Sequence, residues 1–181
     1  MLSAAPAFAL NTTQAKALVN RMVGDINAII NSGRSEAQMI QQFEGIFSTY
    51  GDVPTIARSV LGPPARSLSS GELRSFTRAF QGYMARKYGK RFREFIGGQI
   101  VVTRAEPWKS HFQVLSTVNL RGKAPFTVVF RVSDRSGRDL FFDMLIEGIS
   151  LLKTEAVEIG ALLEQRRGNV ARLTTDLQRI G

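Results

Sequence analysis

At Gly97-Gly98 the hydrophobic period of this chain changes from that of a helix to that of a strand, and after Gly148 it changes back. A helix repeats every 3.6 residues and a strand every two, so one pattern cannot serve as the other. Before the change, Leu18, Met22, Ile26, Ile29 and Ile30 make one helical stripe behind Thr12 or Thr13, the predicted N-cap. Ser35 and Gln38 form a capping box for a second stripe through Met39, Phe43, Ile46, Phe47 and Tyr50. Asp52 caps a short helix with Pro54 in its first turn, which Gly62-Pro63-Pro64 stops. Ser69 and Glu72 cap a long helix carrying Leu73, Phe76, Phe80, Tyr83 and Met84.

Past the change, four strands are expected. Ile100 and Val102 begin them; Phe112 to Leu120, Phe126 to Val132, and Leu140, Phe142, Met144 and Ile146 continue one apolar face. Two helices close the chain, one with Leu152, Ala156, Ile159 and Leu163, the other opening at Asn169 and carrying Val170, Leu173, Leu177 and Ile180. Helices, a run of strands, then helices predict an α+β fold, with a helical part on a mostly antiparallel four-stranded meander. The expected division is 10–96 mainly helical, 97–150 sheet and 151–181 C-terminal helices, in a single domain. Gly97-Gly98 and Gly148 read either as hinges or as ordinary turn residues.

The 181 residues are 44% apolar, about 80 side chains, which excludes disorder from low hydrophobicity. No run approaches a membrane-spanning length. Zero cysteines excludes disulfides, thiolate nucleophiles and cysteine zinc sites, and one histidine leaves little for a metal cluster. Against 15 acids stand 24 Lys and Arg, a formal charge of +9 that suits nucleic acid, anionic lipid or an acidic partner. At the N-terminus, Ala7-Phe8-Ala9 has the form of a signal-peptide cleavage site without its basic and apolar regions. Residues 1–9 are therefore expected to be the tail of a truncated export signal.

Motifs for phosphate loops, dinucleotides, serine hydrolases and zincins are absent. Asp139, Asp143 and Glu147 share spacing that puts all three on one strand face. They read as a solvent-side row paired with basic neighbours, or else as carboxylates for acid–base chemistry on a curved sheet, with Asp143 or Glu147 as base. His111 reads as a surface histidine. Trp108, in a strand-end loop, is either a contact residue or packed down. The positive charge concentrates in Arg66, Arg74, Arg78, Arg86, Lys87, Lys90, Arg91 and Arg93. Interleaved with Tyr88 and phenylalanines, this stretch fits a nucleic-acid surface or a solvated basic helix end.

Residues 56–62, Ile-Ala-Arg-Ser-Val-Leu-Gly, with Leu68-Ser69, Phe76, Phe80, Tyr83 and Lys87-Tyr88-Gly89, then resemble the helical half of the MlaC-type, or toluene-tolerance, proteins. The C-terminal signature is closer still: Asp143-Met144-Leu145-Ile146-Glu147-Gly148-Ile149-Ser150-Leu151-Leu152, followed by Thr154 and Glu158. The resemblance runs from about residue 12 to 181. It departs at Ala65 and Leu140, where many members have tryptophan. It departs again at Glu155, Ala156, Val157 and Ile159, in a stretch that usually holds an aromatic, an arginine and a phenylalanine.

The resemblance implies a nuclear-transport-factor-like curved sheet and a helical subdomain enclosing an apolar cavity. It implies a non-enzymatic, monomeric, periplasmic carrier of diacyl phospholipid, with no cofactor or metal and no nucleic-acid partner. The implied partners are an inner-membrane ABC-type complex, through its periplasmic substrate-binding subunit, and an outer-membrane lipoprotein with porin. The implied role is maintenance of outer-membrane lipid asymmetry. Cavity candidates are then Phe43, Phe47, Leu61, Phe76, Phe80, Tyr83, Phe112, Val114, Val118, Val128, Phe130, Phe142, Met144 and Ile146. Docking candidates for partner or headgroup are Arg74, Arg78, Arg86, Lys87, Lys90 and Arg91. Sequestering roughly 30 methylenes at about 0.8 kcal/mol each needs an apolar interior rather than polar headgroup contacts.

Overall fold

The computed structural model describes residues 10–181, the side chains of residues 92 and 93 excepted. The Ala7-Phe8-Ala9 triplet lies outside the described residues. Among the described residues, six helices and one five-stranded antiparallel sheet make an α+β fold, and the sheet is open. The helices are α1 (Thr12–Ile30), α2 (Glu36–Tyr50), α3 (Val53–Leu61), α4 (Ser70–Gly89), α5 (Leu151–Glu164) and α6 (Val170–Leu177). Short 3-10 segments, Pro63–Arg66 and Lys90–Phe95, follow α3 and α4.

The caps explain where the helices begin. Asn11, not Thr12 or Thr13, opens α1, because its side chain accepts from the Gln14 N–H while Gln14 reaches back to the Asn11 N–H. Ser35 with Gln38 and Ser69 with Glu72 form the two expected capping boxes. Asp52 and Asn169 cap α3 and α6. At Gly62 the chain adopts φ +69°, a left-handed value that glycine takes at no steric cost, and α3 ends there.

The sheet runs β1 (Gln99–Trp108), β2 (His111–Asn119), β3 (Phe126–Ser133), β4 (Leu140–Ile146) and β5 (Ile149–Ser150), paired in that order. The fifth strand was not expected. It is two residues long, too short for a period to register. Two bulges correct the expected strand faces. The register skips Thr103 on β1 and Phe142 on β4. Each extra residue shifts the alternation by one. Phe141, opposite Val132, therefore joins Phe130, Met144 and Ile146 on the inner face, while Leu140 stands opposite Ser133 on the other. The same shift takes Asp143 out of phase with Asp139. Glu147 lies beyond the strand at φ +49°, so the three acids form no common row.

Burial divides into two clusters. One joins α1 and α2 to the inner sheet face, with Val19, Met22, Ile30, Val114, Val118 and Val132 among its most buried members. The other joins α3, α4, α5 and α6 around Phe76, Phe80, Ile159, Leu173 and Leu177. Phe141 packs on both. Gly97 and Gly148 sit at φ +76° and +80°, as turn positions. A side chain on Gly97 would meet only the flexible Arg121 guanidinium, at 2.7 Å, so the left-handed backbone is what favours glycine there.

Candidate functional site

α4 turns two different faces inward. Phe76, Phe80 and Tyr83, spaced by four and three, lie in the helical cluster. Met84, Ala85 and Tyr88 continue round the helix and meet α1, α2, α5 and the sheet around a hollow. That hollow is a half-open pocket of about 390 Å³, within the range of small-ligand sites. α1 supplies Met22 and Ile26; α2 supplies Phe43, Ile46 and Phe47. The sheet supplies Ile100, Val118, Leu120, Phe126, Val128 and Phe130, concentrated toward the β2–β3 hairpin. Phe141, Phe142, Met144, Ile146, Leu151 and Leu152 complete the apolar wall.

Of the fourteen cavity candidates, the structure brings eight together on this wall: Phe43, Phe47, Val118, Val128, Phe130, Phe142, Met144 and Ile146. Leu61, Phe76, Phe80 and Tyr83 lie instead in the helical cluster. Phe112 and Val114 belong to the sheet-side cluster but pair with Val132 and Phe130 toward the opposite end of the strands. Met22, Ile26 and Met84 were legible as apolar stripes, but no period tells a stripe facing a hollow from one facing a neighbour. Phe141 was missed because the bulge moved it inward.

Polar groups on the wall are few and sharply placed. Asp143 borders the cavity, its side chain 1% exposed, and both carboxylate oxygens are engaged. Oδ1 accepts from the N–H groups of Met144 and Leu152 at 2.8 and 3.0 Å, and Oδ2 from Arg131 at 3.1 Å and Ser150 Oγ at 2.8 Å. The carboxylate thus ties β3, β4, β5 and the first turn of α5 into one joint, where the unpaired N–H groups of a helix start favour negative charge. This corrects the solvent-side expectation for Asp143. Glu147 is exposed and accepts from the Thr127 N–H.

Between α4 and α5 lies a second polar group. Glu155, also 1% exposed and also bordering the cavity, accepts from Lys87 at 2.7 Å and from the Tyr88 hydroxyl. Lys87 reaches Glu158 at 2.5 Å, and Tyr83 donates to Glu158 at 2.5 Å. Burial and the adjoining carboxylates raise both tyrosine pKa values, so the phenols stay neutral donors. Burial pulls the Lys87 pKa down, but its bonds to Glu155 and Glu158 outweigh this and leave it raised. Burial pushes Glu158 up, and hydrogen bonds from Lys87 and Tyr83 outweigh that, leaving it lowered.

At the rim, Lys123 on the β2–β3 turn bonds Glu94 at 2.9 Å across exposed surface, with Arg91 alongside. Among the docking candidates, Arg74, Arg78, Lys90 and Arg91 are exposed. Arg86 instead donates to the carbonyls of Leu177 and Ile180, and Lys87 is held by Glu155 and Glu158. Lys90 bonds the Gly181 carbonyl at 2.6 Å. His111 is half-buried rather than on the surface, edge-on to Phe142 with ring centroids 5.2 Å apart. Burial lowers its pKa, and Arg131 and Arg135 lower it further. Trp108, at the end of β1, is 46% exposed. Among the described residues no cluster of His, Asp and Glu suits a metal ion, and no helix is long and apolar enough to cross a membrane.

An open antiparallel sheet and a helical layer around an apolar hollow define the class: an α+β protein with an apolar pocket between its layers. The family model described as MlaC protein matches residues 20–179, and the chain belongs to that family. A solved structure of the phospholipid-binding protein from Ralstonia solanacearum, in complex with a phospholipid, has the same fold. Its TM-score is 0.76 at 19% identity, over 90% of this chain and 94% of that one. No curated protein matches the chain.

Proposed function

We propose that this chain is a periplasmic phospholipid carrier that shields acyl chains in the cavity between α4, α5 and the sheet. The observation that carries the reading is the wall itself: a largely apolar lining around a hollow of about 390 Å³, in a member of the MlaC family. Apolar transfer scales with buried methylenes, so such a wall exchanges with a bilayer interior at little net cost. Acyl chains lie along Phe43, Phe47, Val118, Val128, Phe130, Phe142, Met144 and Ile146. The phosphate lies at the rim near Arg91 and Lys123. The solved relative's phospholipid supports this choice of cargo.

The finer role is shuttling between an inner-membrane ABC-type complex and an outer-membrane lipoprotein with porin, as a monomer, in support of outer-membrane asymmetry. Arg74 and Arg78, exposed on α4, are the docking cations of this reading. We read the protein as non-enzymatic. The two carboxylates considered for acid–base chemistry do not serve it, since Asp143 is filled by four donors and Glu147 stands outside on a turn. The test is native mass spectrometry of the purified protein followed by organic extraction. Co-purified diacyl phospholipid is expected. Protein that is repeatedly empty and takes up no lipid from vesicles would defeat the carrier reading.

A further inference from the structure

A second pocket, of about 210 Å³, lies beside the apolar hollow, where the start of α3 meets the β1–β2 and β3–β4 connections. Its lining is opposite in character: Asp52, Thr55, Ser110, Ser133, Arg135 and Ser136. Phe142 is the one residue that lines both. A single phenyl ring therefore parts a surface suited to hydrocarbon from one suited to water.

That ring is held in place. His111, which also lines the polar pocket, meets it edge-on, with ring centroids 5.2 Å apart and planes at 90°. Phe142 also packs against the helical cluster of α3 and α5. As the extra residue of the β4 bulge it has no partner on β3, so its side chain answers to the two pockets rather than to a cross-strand neighbour.

Its depth below the rim is that of a lipid tail. The rim, with Arg91 and Lys123, lies at the β2–β3 end of the sheet, beside Phe126. Phe142 stands between Phe141 and Asp143, which is level with Arg131, five residues further along β3 than Phe126. At about 3.4 Å per residue this is about 17 Å. Half of a bilayer's hydrocarbon core gives each tail about 15 Å. A tail whose phosphate stays at the rim thus ends at the Phe142 ring.

We propose that Phe142 is the end-stop of the lipid pocket and sets the length of acyl chain that the protein carries. The inference rests on the carrier reading and deepens it. A methylene lodged short of the ring exchanges bilayer for an apolar wall. One beyond it has to displace the ring or enter the polar pocket, where it strips water from hydroxyls and charges and offers them no hydrogen bond. Each methylene left without apolar cover lowers occupancy about fourfold, the worth of about 0.8 kcal/mol.

The test uses the full chain, loaded from vesicles of phosphatidylglycerols mixed in equal amounts, with paired monounsaturated tails of fourteen to twenty-two carbons in steps of two. Native mass spectrometry reads the bound species. Both proteins in a comparison draw on the same vesicles, so the bilayer's own preference among lengths cancels between a variant and the unaltered chain. Phe142→Ala is expected to raise the ratio of the twenty-carbon to the sixteen-carbon lipid by roughly tenfold, the worth of one to two methylenes given cover. Phe142→Trp is expected to shift the ratio the other way. Should the alanine variant fail to fold, Phe142→Leu and Phe142→Trp carry the test.

A ring that only supports the fold would lower the lipid load at every length alike; unmoved ratios in the folded variants therefore overturn the inference and leave the carrier reading standing. An unaltered protein whose bound lipids mirror the vesicles up to the longest chain overturns it as well. Absence of every lipid from the unaltered protein overturns the carrier reading itself, and this inference with it.

Discussion

The cluster around Phe76 and Phe80 and the wall around Phe43, Phe47 and Phe130 are made of the same residue types, yet one is filled and the other encloses a hollow. In the first, Phe76 and Phe80 are fully buried and stack with ring centroids 6.1 Å apart, closed over by α3, α5 and α6. In the second, aromatic and aliphatic side chains from α1, α2, α4 and the sheet stop short of one another. Packed atoms hold each other by many weak contacts, whereas a wall facing empty space forfeits them on one side. The first region carries stability, and the second stores capacity for cargo. Substitutions in the two should therefore have opposite signatures.

The largest effect is expected from Phe76→Ala, which removes a fully buried ring and costs about 3–5 kcal/mol. For a chain of this size, the thermal midpoint should fall by roughly 10 °C, while folded molecules keep their lipid load. Lipid loss at unchanged stability would erase the distinction between the regions. Asp143→Asn comes next, at about 3 kcal/mol, because it leaves the partly buried Arg131 facing a neutral group. Urea unfolding measures this, and a change within error would mean the joint between sheet and α5 is not held by charge.

Met144→Trp should do the reverse of Phe76→Ala. The added volume enters the cavity rather than a packed core, so stability should change by less than about 1 kcal/mol while co-purified lipid falls several-fold. Full lipid retention would show that cargo does not occupy this wall.

A smaller effect belongs to the α4–α5 seam. Glu158 has a lowered folded pKa, so its contribution is complete above the unfolded carboxyl value near 4.3 and is lost as pH falls through the folded value. The difference in thermal midpoint between the unaltered protein and Glu158→Gln should hold constant from about pH 5 upward and shrink below it. A difference that grows on acidification would contradict the pairing. Least of all, Arg74→Glu with Arg78→Glu should shift stability by no more than about 0.5 kcal/mol each. It should reduce lipid delivery to membranes containing the partner complex, most clearly at low salt. Unchanged delivery would remove α4 as the docking face.

Much of this architecture was legible in the residues. The two capping boxes, Asp52, Gly62 and Asn169 marked helix ends through local hydrogen bonds that need no tertiary partner. The sheet was harder to read where the alternation breaks. Phe142 is one added residue, and it exchanged Leu140 for Phe141 on the inner face; Asp143 kept its face, but β5 and the start of α5 cover it there. Arg86 and Lys87 looked like free surface charge because their acceptors, Leu177, Ile180, Glu155 and Glu158, lie about seventy to ninety positions further along the chain.

By itself, then, the order of residues determined the class of fold, most helix starts, the apolar stripes and the likeness to a family, since each of these depends on period, capping chemistry or short motifs. Only the tertiary structure decided which stripes face one another and which face a hollow. It also decided that Asp143 is buried and filled by four donors. The physical reason is that hydrophobicity records how strongly a side chain avoids water and is silent on what replaces it. A phenylalanine ring and an acyl chain are equally acceptable neighbours to Phe130, and the distance to the opposite wall chooses between them.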